Sequence, residues 1–102
     1  MDIITKQEQK ELINSLTELN RIIGEMKKVS SDMLLTWQQN EIRDWLSYLE
    51  KHTDKGELRS LEIEVGDRFF YKYNVRIDPV NLDKQRLNVF QKLIKQLNFA
   101  LK

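Results

Sequence analysis

Cysteine is absent from this chain, and proline (one residue) and glycine (three) are scarce. The first absence excludes disulfides, thiolate zinc sites, iron–sulfur clusters and thiol nucleophiles together, and it accords with a reducing compartment. The second leaves Gly24, Gly56, Gly66 and Pro79 as the only strong punctuation, with no linker and no repeat. No apolar run exceeds three residues, as at Met33, Leu34 and Leu35, whereas a bilayer-spanning helix needs about 20. The first six residues have neither the basic start nor the apolar stretch of a secretory signal. Cytoplasmic residence is the expectation.

Catalytic chemistry has equally little to work with. There is one histidine, His52, and no glycine-rich phosphate loop or serine-centred elbow. Glu50 and Asp54 each lie two residues from His52, so on a helix neither faces it, and the imidazole reads as a last-turn residue serving the terminal carbonyls and the dipole. Glu62 and Glu64 share one face of an alternating stretch, but nothing nearby sets one apart as acid and the other as base. No enzyme, metal site or cofactor is expected.

What is present fits one ordinary globular domain spanning 1–102: 102 residues, 40% hydrophobic and 32% charged. That length can bury a self-sufficient core without staples. A single alanine beside eleven lysines, nine isoleucines and seven asparagines resembles translation from an AT-rich genome, which fits a bacterial or phage source. The net charge of +1 conceals an asymmetry. Residues 1–67 carry nine Lys or Arg against fourteen Asp or Glu, and residues 68–102 carry eight against two. Such a split serves either solvation or the recognition of an acidic partner or nucleic acid.

Periodicity divides the chain into five elements. Thr5 and Glu8 have the form of a capping box opening a helix over about 6–29, with Leu12, Leu16, Leu19, Ile23 and Met26 as its seam. Ser30, Ser31 and Asp32 supply N-cap chemistry for a second helix over about 32–52, antiparallel to the first. Its apolar arc of Leu34, Leu35, Ile42, Trp45, Leu46 and Leu49 is wide enough for two neighbours, Trp37 and Tyr48 fall at the core edge, and Gly56 is its left-handed terminator. The period then shortens to two. Leu61, Ile63 and Val65 alternate with polar residues, as do Phe69, Tyr71, Tyr73, Val75 and Ile77, and a three-residue loop of Gly66, Asp67 and Arg68 pairs Val65 with Phe69 and Ile63 with Tyr71. A last helix over about 80–101 follows Pro79, with Leu87, Phe90, Ile94, Leu97 and Leu101 as its stripe and Val89, Leu93 and Ala100 beside it. The fold class expected is α+β: a helical hairpin, a two-stranded antiparallel β-hairpin and a C-terminal amphipathic helix, in the order ααββα.

Two basic and aromatic groupings are the candidate binding residues. The hairpin places Arg68, Phe70, Lys72 and Arg76 on its loop and outer face, and the last helix places Lys92 and Lys95 beside Phe99. Solvated faces explain both groupings structurally, and base stacking with phosphate neutralisation would explain them functionally. The function expected is a small non-enzymatic interaction module, an adaptor, regulator or inhibitor that covers a surface of another protein. A nucleic-acid-binding module is the alternative, opposed by the near-neutral total charge and the absence of a known motif. A homodimer is slightly favoured over a monomer, because the edges of a two-stranded hairpin need cover.

Overall fold

The computed structural model describes residues 2–70 and 81–102, apart from the side chains of Phe69 and Phe70. The described residues form four helices, α1 (Lys6–Val29), α2 (Met33–Lys51), α3 (Lys55–Phe70) and α4 (Asn81–Ala100). Among the described residues there is no sheet, and an isolated antiparallel bridge between Ile3 and Asp54 is the one β-type pairing. The α+β expectation is therefore wrong: the described fold is all-helical.

Three of these helices begin at a side-chain cap. Thr5 Oγ1 accepts from the Glu8 backbone N–H at 3.0 Å while Glu8 Oε1 accepts from the Thr5 N–H at 2.8 Å, a complete capping box. Asp32 Oδ1 accepts from the Leu34 N–H at 3.0 Å and starts α2. Asp54 Oδ1 accepts from the N–H groups of Gly56 and Glu57, at 2.7 and 3.2 Å, and starts α3. Gly56 therefore opens α3 instead of terminating α2. A Cβ there would stand 2.9 Å from Asp54 Oδ1, so any larger residue would force the capping carboxylate to shift.

The β-hairpin fails because its first half satisfies two periods at once. Leu61, Ile63 and Val65 alternate, but Leu58, Leu61 and Val65 also recur at helical spacing, and it is these three that are buried. Ile63, the middle of the expected strand face, is 64% exposed. With Gly66, Asp67 and Arg68 inside α3, the proposed loop and its pairing of Val65 with Phe69 do not exist. The pairing partners Tyr71 and Tyr73 lie outside the described residues. The edge-strand argument for a dimer lapses with the hairpin.

The four helices run alternately up and down. Gln9 Nε2 donates to the Leu49 carbonyl at 2.8 Å and Lys27 Nζ to Gln39 Oε1 at 3.1 Å, so α1 and α2 are antiparallel, as expected. Arg59 Nη2 donates to the Leu101 carbonyl and Lys55 Nζ to that of Lys102, at 2.9 and 3.0 Å, setting the start of α3 beside the end of α4. Gln38 meets Arg86, and Trp45 meets Phe90 edge to face at a centroid distance of 6.2 Å, so α2 and α4 run the same way. α1 packs closely on both α2 and α4, and α4 also carries α3. The core is one cluster of buried apolar side chains drawn from all four helices and from Ile4 and Leu101. In α4 the buried arc is rotated from the expected stripe: Val89, Phe90, Leu93, Leu97 and Ala100 are inside, Leu87 is exposed and Ile94 half-buried.

Candidate interaction surface

Three of the seven residues singled out from the sequence come together. Burial of Leu93, Leu97 and Ala100 turns the opposite side of α4 outward and leaves Lys92, Lys95 and Phe99 on one exposed stripe. α1 runs beside it in the opposite direction, held by a 2.6 Å hydrogen bond from Ser15 Oγ to Gln96 Oε1. The seam opens into a groove of about 570 Å³, to which α1 contributes Glu8 and Glu11 and α4 contributes the two lysines, Phe99 and the amides of Asn88, Gln91 and Gln96. Phe99 is 70% exposed.

No charge of this groove is ion-paired across it within the described residues. Lys92 and Lys95 make no ion pair there. Glu8 Oε1 accepts from the Thr5 N–H, and Glu11 Oε1 accepts from the Gln7 side-chain amide at 3.2 Å, so both carboxylates meet neutral donors and no cation. The surface thus offers noncovalent recognition of three kinds at once: ammonium groups for anions, carboxylates for cations and a ring for apolar contact.

Of the other four residues, Arg68 alone has a described side chain, and it lies elsewhere. Arg68 lies on α3, where its Nε donates to Glu41 Oε1 at 2.7 Å and ties α3 to α2. Phe70 ends α3 with its side chain outside the described residues, and Lys72 and Arg76 lie wholly outside them. The outer hairpin face that grouped the four is not formed over 61–70.

Several polar contacts escaped the sequence reading. Arg86, 4% exposed, donates to Gln38 Oε1 at 3.0 Å through Nη1 and to Asp83 Oδ1 at 2.9 Å through Nε. The signal was available, because Arg86 precedes Val89, Phe90 and Leu93 at helical spacing and so falls on the buried arc. His52 pairs with Glu57 across the α2–α3 turn and stacks on Tyr48, whose hydroxyl donates to the Glu57 carbonyl at 3.0 Å. Trp37, expected at the core edge, is 57% exposed. A smaller groove of about 230 Å³ between α2 and α3 is lined by Asp44, Trp45, Tyr48 and Glu64 among others, and the buried Trp45 indole N–H has no partner among the described residues. Those residues contain no group of three or more His, Asp or Glu that could hold a metal ion, and no helix of theirs is long and apolar enough to cross a membrane. Comparison with protein families, with curated proteins and with solved structures finds no match for this chain.

Proposed function

We propose that this chain is a small non-enzymatic protein-interaction module, resident in the cytoplasm, that acts as an adaptor, regulator or inhibitor by covering a surface of its partner with the α1–α4 face. The observation that carries this reading is the exposed Phe99 ring, placed in a groove with unpaired charges of both signs. Aromatic anchors ringed by polar groups dominate affinity at protein interfaces, and rim charges act mainly on association rate. The test is affinity capture from the native host's lysate with wild type, Phe99→Ala and Lys92→Ala as baits, each with and without nuclease. A nuclease-resistant protein partner lost more fully with Phe99→Ala than with Lys92→Ala is the expected result. Capture that ignores Phe99→Ala overturns the reading.

The unpaired Lys92 and Lys95 favour a second reading, nucleic-acid binding along α4. Glu8 and Glu11 stand in the same groove and cancel part of that field, which ranks it second.

A further inference from the structure

The two signs of charge in the α1–α4 groove are separated along its length, and the separation is self-complementary. Ser15 and Gln96 mark a common level on the two antiparallel helices. At about 1.5 Å of rise per residue, Glu11 and Glu8 stand about 6 and 10 Å from that level toward the C-terminal end of α4, and Lys95 and Lys92 stand about 2 and 6 Å from it the other way. A two-fold axis lying in the interface across the groove, between Gln96 and Phe99, sets α1 on α1 and α4 on α4 of a second copy, so that Glu11 stands level with Lys95 of that copy, and Glu8 with its Lys92, diagonally across the groove. The same axis passes within about 3 Å of the level of Phe99, so the two exposed rings meet at the centre. An isologous interface has this property: the patch that faces the axis must complement itself.

We infer that the occupant of the α1–α4 groove is a second copy of this chain, docked about that axis with the Phe99 rings as central anchors and two Glu–Lys sets around them. The inference rests on the reading of this face as a protein-binding surface and names its partner. A foreign partner of one charge would satisfy one end of the groove and repel the other, whereas a second copy satisfies both.

Sedimentation equilibrium over roughly 1 to 200 µM tests it, with Lys95→Glu and Glu11→Lys variants measured alone and as an equimolar mixture. Both positions are exposed, and Glu11→Lys leaves the Thr5 and Glu8 cap intact; circular dichroism checks that each variant keeps its helices. The wild type is expected to pass from one chain to two across this range. Each variant alone sets like charges against each other twice and should weaken association about tenfold or more, at roughly 1.4 kcal/mol per decade. In the mixture every pair is opposite in sign again, so association should return to within about threefold of wild type. A wild type that stays a single chain throughout, or a mixture no tighter than its components, overturns the inference. Its failure is readable apart from that of the broader reading, which the Phe99→Ala capture experiment alone decides.

Discussion

Leu58 and Ile63 sit five residues apart on α3 and meet opposite surroundings, one fully buried and the other open to solvent. Leu58→Ala should cost about 2 to 5 kcal/mol as a core truncation. Ile63→Ala should stay within about 0.5 kcal/mol, as an exposed substitution does. Urea melts of the two variants check this, and the reverse order would restore a strand over 61–65. Gly66 offers an independent test. A Cβ added there meets nothing within 4 Å, so Gly66→Ala should stabilise a helical α3 by up to about 1 kcal/mol, read as a rise in thermal midpoint. A glycine in a tight hairpin loop would instead resist the change. Each of these residues is ambiguous in isolation. Ile63 and Val65 favour strands by propensity, and the burial of Leu58, Leu61 and Val65 in the core assigns their segment to a helix.

At the scale of elements, α1 and α2 are legible because their signals are long and redundant. The capping box, the Asp32 cap and four to six buried apolar positions per helix all agree. α3 carries no such redundancy: two glycines interrupt it, and Leu58 was the residue that should have extended the helical period backwards across the apparent turn. α4 was legible in its extent and its outer side, but the inward turn of Arg86 was not. That position yields a prediction of its own. Asp83→Ala would leave the buried Arg86 guanidinium with the neutral Gln38 oxygen but without its carboxylate, at a cost of about 3 to 5 kcal/mol. Adding Arg86→Met should recover much of that loss, since an apolar side chain of similar length needs no counter-charge. A double-mutant cycle by denaturant unfolding measures the coupling, and simple additivity would show that the contact contributes little.

For the molecule as a whole, charge placement separates the two functional readings. Nucleic-acid binding through α4 would weaken steeply with salt, and Lys92→Ala or Lys95→Ala would each flatten that dependence by about one unit of slope per lost phosphate contact. The expected outcome is otherwise: no salt-sensitive affinity for generic DNA or RNA tighter than about micromolar, measured by fluorescence anisotropy from 50 to 200 mM salt. Tight binding abolished by Lys95→Glu would promote the second reading over the first.

Composition and local pattern were enough to set two capped antiparallel helices, an amphipathic α4 and the grouping of Lys92, Lys95 and Phe99 on its outer side. These properties repeat every few residues along one helix, and so they are written into nearest-neighbour spacing. The state of 55–70, the inward turn of Arg86 and the approach of Glu8 and Glu11 to the lysines depended on contacts between residues far apart in the chain. By its pattern alone the short segment 61–65 suits a helix or a strand. The choice fell to whether Leu58, Leu61 and Val65 together could enter a core already shaped by the other helices, and that core exists only once the bundle has closed.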